Sequence, residues 1–429
     1  MQSITPPASG TSTPTATTLM KSALSHPPTS ALPPQAVTSG PSPLDASRLT
    51  YSLTTSPRPV PAADDPIIAT SSVCTDHMLT CTWTATSGWE APRIVPYGPL
   101  SLLPTCSVLH YATECFEGLK LYRGHDSRLR LFRPDRNAAR LNRSAQRVAL
   151  PGFEPAELEK LLLRLCGLDG PKWLPEDRKG KFLYVRPTMI SDDPSLGVQK
   201  PKRAMLFVII TLFPDLSDPN ALGAGETEGE SPVQGLKLLA SKEDTIRAWP
   251  GGFGFAKLGA NYGPSLLAQG EARARGFHQI LWLFGSEAFV TEAGASNFFV
   301  VWRTSEGKTQ LVTAGLEDKV ILEGVTRASL LELARTRLGL ELEVVERKFT
   351  MQEVLEAYNE GRLVEAFAAG TAYFVAPVGL IEWKGQGLRV PTVEGKTGKY
   401  ARMLRGWLSD IKYGNEEHEW GVVVPEGKQ

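Results

Sequence analysis

The chain has 429 residues, enough for two domains and a tail, and its 46 basic residues balance its 46 acidic ones. No overall field therefore favours nucleic acid or an anionic membrane surface, and any charge that matters must be local. Five cysteines, odd in number and without a Cys-x-x-Cys pair, argue against a disulfide framework and against a zinc site, so no metal is expected and a reducing compartment is the default.

Residues 1–44 are dominated by Ser, Thr, Pro, Ala and Gly, hold no acidic residue and offer few large apolar groups, which predicts a disordered extension. A transit peptide needs Arg and an amphipathic helix, whereas this stretch has only Lys21. A cytoplasmic location is therefore expected, with a mitochondrial one as the alternative. From about Leu49 the composition turns globular. Phe132-Arg133-Pro134 closes a strand and opens a helix with Leu141, Ala145 and Val148 on one face, and Leu158, Leu161, Leu162 and Leu165 mark a second helix. Phe182 to Val185 and Met205 to Phe213 read as core strands. The apolar run Ala204 to Phe213 is about half the length of a membrane-spanning helix, so no membrane span is expected.

Residues 215–235, rich in Gly, Pro, Ser, Asp and Glu, read as a linker between a smaller N-terminal domain, 45–214, and a larger C-terminal one, 236–429. In the second domain a helix is expected over Gly263 to Arg275, strands over Gln279 to Leu283 and Phe298 to Trp302, and a helix over Val325 to Leu338 stopped by Gly339. Thr350 and Glu353 have capping-box spacing, Leu363 to Ala368 is strand-like, and a last helix covers about Gly398 to Ile411.

The segment Trp249 to Gly263 sets one lysine, Lys257, among five glycines and several apolar residues. A lysine held in apolar surroundings has a depressed pKa and can act as a neutral nucleophile or base, as carbonyl and Schiff-base chemistry requires. Gly252-Phe253-Gly254 lacks the third glycine of a dinucleotide fingerprint, and Lys257 does not precede the Ser or Thr of a phosphate loop.

This segment, with Gln279-Ile280-Leu281-Trp282-Leu283 and Thr291-Glu292-Ala293-Gly294-Ala295-Ser296-Asn297-Phe298-Phe299, resembles the signature of fold-type IV pyridoxal-phosphate enzymes, and most closely that of branched-chain amino-acid aminotransferases. Supporting matches are His110-Tyr111, Phe116-Glu117-Gly118-Leu119-Lys120, Leu131-Phe132-Arg133-Pro134, Tyr184-Val185-Arg186-Pro187-Thr188, Gly324-Val325-Thr326-Arg327 and Gly370-Thr371-Ala372. The resemblance implies an α/β (α+β) two-domain fold with pyridoxal 5'-phosphate between the domains. It also implies a homodimer whose pockets are completed across the subunit interface, with amino acids and 2-oxo acids as the small-molecule partners. The implied reaction is reversible transfer of the amino group of leucine, isoleucine or valine to 2-oxoglutarate. A relative specialised for another amino acid and a silent cofactor-binding protein are the alternatives.

By the same resemblance Lys257 holds the cofactor covalently and then carries the proton, and Glu292 pairs with the pyridine nitrogen. Arg133 and the helix start at Val325 and Thr326 take the phosphate, and Tyr262 meets the ring oxygen. Tyr184 and the turn Gly370-Thr371-Ala372 take the substrate α-carboxylate, with Thr371 also counted among the cofactor contacts. Tyr111, Phe116 and Tyr262 form an apolar pocket, and Arg186 meets the distal carboxylate of glutamate. Two positions depart from the pattern. Ala295 stands where a threonine is usual, and Tyr373 and Ala376 stand where some mitochondrial members carry a Cys-x-x-Cys.

Overall fold

A computed structural model describes residues 41–215, 235–372, 374–392 and 397–427. The expected extension up to residue 40, the interior of the expected linker and Tyr373 lie outside the described residues. Residues Gly40–Gln429 form one compact unit.

Two sheets carry the chain. The first runs, in spatial order, through Thr50–Tyr51, Arg93–Pro96, His77–Thr84, Arg203–Thr211, Phe182–Ile190, Leu119–Arg123, Leu129–Phe132 and Gly421–Val423. The short strand Glu114–Phe116 pairs with Phe182–Ile190. Helices Pro134–Arg147 and Pro155–Trp173 cover this sheet, and their predicted apolar positions Leu141, Ala145, Leu158, Leu161, Leu162 and Leu165 enter its core. The last strand, Gly421–Val423, comes from the far end of the chain to pair antiparallel with Leu129–Phe132.

The second sheet runs from Phe289–Ala293 through Gln279–Phe284, Leu236–Ala240, Phe374–Trp383, Leu363–Gly370 and Ser296–Arg303 to Thr309–Thr313 and Glu343–Glu346. Because Phe289–Ala293 also pairs with Ser296–Arg303, six of these strands close into a ring, which leaves them no open edge. Glu292 and Asn297 are paired directly across that closing hairpin.

The expected helices over 263–275, 325–338 and 398–411 are found as Gly263–Ala274, Val325–Leu338 and Lys399–Tyr413. Met351–Asn359 begins with the full reciprocal capping box between Thr350 and Glu353. One boundary differs from expectation. Residues 41–44 belong to the folded body: Ser42 exchanges backbone hydrogen bonds with Ser87 and Trp89, and Leu44 is buried in the first core. Gly88, at φ +77°, lets Ser42 come that close, since a Cβ there would lie 2.2 Å from the Ser42 nitrogen.

Candidate active site

A cavity of about 530 Å³ opens where the two sheets meet. Its wall carries ten of the twelve residues singled out from the sequence: Phe116, Tyr184, Arg186, Lys257, Tyr262, Glu292, Val325, Thr326, Thr371 and Ala372. The lysine segment is clamped from the first domain's side. The Lys257 N–H donates to Ser144 Oγ at 2.9 Å, and the Phe116 N–H donates to the Lys257 carbonyl at 3.1 Å. The Lys257 ammonium nitrogen lies 4.9 Å from the Phe116 ring centroid. Burial, reinforced by the Arg140 charge, pulls the Lys257 pKa down to about 8, although Glu117 and Glu292 oppose this.

Glu292 is buried, and both of its carboxylate oxygens are engaged. Oε1 accepts from Asn297 Nδ2 at 3.0 Å and from the Leu322 N–H at 3.1 Å, and Oε2 pairs with Arg247 at 2.5 Å. Burial raises its pKa, while Arg247, the Leu322 N–H and Lys257 pull against that rise. Tyr262 packs against Phe116 with ring centroids 5.5 Å apart, and burial and the Glu292 charge push its hydroxyl up to about 12.

At the other end, helix Val325–Leu338 starts at the cavity, and the Val325 and Thr326 N–H groups have no partner within their own helix. The partial positive charge there is joined by Arg140, which donates from Nη1 to the Glu323 carbonyl at 2.8 Å just before the helix begins. Glu117 grips Arg140 in a two-pronged ion pair, Nε–Oε1 2.6 Å and Nη2–Oε2 2.8 Å, and Asn137 donates a further hydrogen bond to Glu117 at 2.8 Å. Glu117 is fully buried. That burial would raise its pKa, but Arg140 more than compensates and holds the carboxyl below its ordinary value.

Two expectations are corrected. Arg133 does not face the cavity: its guanidinium donates to Ser329 Oγ at 3.1 Å, pairs with Glu332 at 3.2 Å and lies 4.1 Å from the Trp420 ring centroid. The cause is local. Arg133 caps helix Pro134–Arg147 in a left-handed backbone conformation, φ +46°, which sends its side chain towards the C-terminal segment. Arg140, two turns (about 10 Å) along that helix, is the arginine in the cavity wall. Tyr111 is also outside the cavity of its own chain. It ends the short helix Val108–Tyr111, is 40 % exposed and donates its hydroxyl to the Leu196 carbonyl.

The sequence reading missed Arg140, Glu117, Asn137, Asn297 and Arg247. A usable signal existed for the helix: Asn137, Arg140 and Ser144 form a polar stripe at helical spacing beside the apolar stripe of Leu141 and Ala145, and all three are buried. Among the described residues no group of three or more His, Cys, Asp or Glu is placed to hold a metal ion, and no helix is long and apolar enough to cross a membrane.

A buried lysine of weakened basicity, with a carboxylate on one side and an anion cradle on the other, defines an enzyme that works on amino groups through that lysine. The chain belongs to the family described as amino-transferase class IV, whose model matches residues 114–381. It is 44 % identical over 381 residues to a branched-chain-amino-acid aminotransferase of Monosiga brevicollis, covering 89 % of this chain and 93 % of that one. It is 46 % identical over 352 residues to the cytosolic branched-chain-amino-acid aminotransferase of Mus musculus, covering 82 % of this chain and 86 % of that one. Among solved structures it resembles a bacterial-type branched-chain amino acid aminotransferase complexed with N-(5'-phosphopyridoxyl)-L-glutamate, at 26 % identity and a TM-score of 0.58, over 80 % of this chain and 98 % of that one. The Escherichia coli branched-chain enzyme, 24 % identical with a TM-score of 0.58 over 81 % of this chain and 99 % of that one, shares its fold.

Proposed function

We propose that the chain is a pyridoxal-phosphate-dependent branched-chain amino-acid aminotransferase, moving the amino group of leucine, isoleucine or valine reversibly to 2-oxoglutarate. The observation that carries this reading is one cavity that holds Lys257, Arg186 and the aromatic wall of Phe116, Tyr184 and Tyr262 together. The wall suits an apolar branched side chain. The guanidinium suits the second carboxylate of glutamate, which an apolar wall alone would reject on desolvation grounds.

The residues present fit pyridoxal 5'-phosphate. Arg140, in place of Arg133, and the N–H groups of Val325 and Thr326 would hold the phosphate, Glu292 would accept from the ring nitrogen, Tyr262 would meet the ring oxygen, and Lys257 would supply the amine. When bound, the group supplies an electron sink that makes the substrate α-proton labile. Lys257 Nζ, free to accept a proton near neutral pH, takes that proton and returns it. Arg247, Asn297 and the Leu322 N–H keep the Glu292 carboxylate oriented and charged. Tyr184 and the Thr371-Ala372 turn would take the α-carboxylate. Lys120 braces that turn, donating to the Ala372 carbonyl at 3.2 Å.

The protein is further read as a homodimer in which Tyr111 serves the partner's cavity, and as cytosolic, since residues 1–44 hold a single Lys and no Arg. The mitochondrial alternative stands beside it, because relatives are named from both compartments. The test is a donor panel with 2-oxoglutarate on the purified protein. Glutamate should form with leucine, isoleucine and valine and far more slowly with D-amino acids or aromatic donors; the opposite ranking overturns the branched-chain reading.

A further inference from the structure

Of the acidic side chains in the cavity wall, Glu292 has its ion pair with Arg247, whereas the Glu114 carboxylate has no hydrogen bond or ion pair to any described residue. Strand register explains how Glu114 gets there. Glu114–Phe116 pairs antiparallel with Phe182–Ile190, Glu114 opposite Ile190 and Phe116 opposite Thr188. Residues directly opposite share a face and alternate residues share it too, so Glu114 and Phe116 are on the face that also carries Tyr184 and Arg186. The carboxylate then abuts the lysine loop. A Cβ on Gly259 would lie 1.7 Å from Glu114 Oε1, so only a glycine leaves room for it.

Arg186 is under-satisfied in the same space. Its Nε is buried without a hydrogen-bond partner, its Nη2 reaches the Tyr184 hydroxyl only at 3.4 Å, and its guanidinium carbon sits 4.7 Å from the Phe116 ring centroid. Burial raises the pKa of Glu114, and the Arg186 charge is what pulls it back, so the two side chains sense each other although they stand too far apart for a direct ion pair. An uncharged substrate side chain lodged here would leave the Arg186 cation in an apolar enclosure, where an opposite charge nearby offsets the desolvation cost. An acidic substrate side chain reaching for Arg186 would instead meet a second negative charge.

We propose that Glu114 is a specificity-determining residue: its carboxylate balances Arg186 when the cavity holds an uncharged side chain and opposes an acidic one, tilting the site towards apolar substrates. This rests on the reading of Arg186 as the contact for the distal carboxylate. The experiment is equilibrium binding of two unreactive acids, glutarate and 4-methylpentanoate, to the holoenzyme, followed by the cofactor's absorbance, in the parent, Glu114→Gln, Glu114→Asp and Arg186→Met.

Glu114→Gln should tighten glutarate about tenfold and weaken 4-methylpentanoate, as expected for removing a charge a few ångströms from the bound one at an effective dielectric of about 20. Glu114→Asp, which keeps the charge, should preserve the parent's ratio of the two affinities. If Glu114→Gln leaves that ratio unchanged, or if Asp behaves like Gln, the proposal is overturned. Arg186→Met separates the two failures. Weakened glutarate binding there, with an unmoved ratio in Glu114→Gln, removes only the role of Glu114; unchanged glutarate binding removes the reading of Arg186 on which it rests.

Discussion

At the residue scale the most consequential side chain is Arg140, because it is shared between two jobs. Its ion pair with the buried Glu117 is structural, since losing one partner strands the other charge away from water. Its position beside the start of helix Val325–Leu338 is chemical, since it adds a full charge to the helix's partial one. Arg140→Lys keeps a charge but loses the fork geometry, and should weaken pyridoxal-phosphate affinity by roughly tenfold to a hundredfold, the loss expected for charged hydrogen bonds. Arg133→Gln should leave that affinity within about twofold while lowering the melting temperature, because it removes only the Trp420 and Glu332 contacts. Fluorescence titration of the apoenzyme with the cofactor measures both; equal loss in the two variants would return Arg133 to the phosphate. Arg186→Met should slow the half-reaction with glutamate far more than that with leucine, on the order of tenfold to a hundredfold, when the two are timed separately by stopped-flow absorbance.

At the scale of elements, helix Lys399–Tyr413 begins without a side-chain cap of its own and is met instead by a carboxylate from the neighbouring strand. Glu365 Oε1 accepts from the Ala401 N–H at 2.9 Å, but Oε2 is buried with no partner among the described residues. Burial therefore pushes the Glu365 pKa up to about 7, against the Ala401 and Tyr400 N–H groups and the charges of Arg402 and Lys399. A carboxyl whose folded pKa is raised contributes most when protonated, so its contribution is intact below about pH 4.5 and is lost as pH climbs through 7. Glu365→Gln should be more stable than the parent at pH 8, by on the order of 1–3 kcal/mol, with the gap closing towards pH 4.5. Denaturant unfolding at the two pH values measures this, and a gap that does not change with pH would mean that Oε2 has a partner in solution.

The N-terminal boundary is tested at the same scale. Deleting residues 1–40 should leave stability unchanged, whereas deleting 1–44 should cost roughly 2–3 kcal/mol, from the buried Leu44 and the two backbone bonds of Ser42. The expectation failed at 41–44 because composition averages over a window, and one buried leucine among Pro and Ser does not shift the average. Where a periodic apolar pattern or a capping signal existed, as at 325–338 and Thr350, the element was legible in the residues themselves. The arginines show the opposite case. Arg133 and Arg140 lie on the same helix, seven residues apart, and only the left-handed turn at Arg133, which no pattern announces, separates the one that faces the cavity from the one that does not.

For the whole molecule, Tyr111 marks what a single chain leaves unfinished. It is held firmly by the Leu196 carbonyl yet is 40 % exposed, and Leu109, Leu196 and Val198 around the same two segments are 58 %, 55 % and 87 % exposed. An apolar cluster of this kind, ordered but uncovered, fits an isologous interface, in which each chain lends the same residues to the other. The homodimer reading therefore predicts that Tyr111→Ala lowers leucine turnover although Tyr111 lies outside the cavity of its own chain, and that Leu109→Glu shifts the protein to a monomer in analytical ultracentrifugation. A complementation experiment tests the geometry directly. Lys257→Ala should be inactive and Tyr111→Ala impaired, but a heterodimer of the two contains one site with an intact Lys257 from one chain and an intact Tyr111 from the other. Co-refolding equal amounts should give about one complete site in four, if the chains pair at random. Leucine turnover in the mixture that stays at the mean of the two separate variants would show that each chain completes its own cavity, and would leave Tyr111 a surface residue with no part in catalysis.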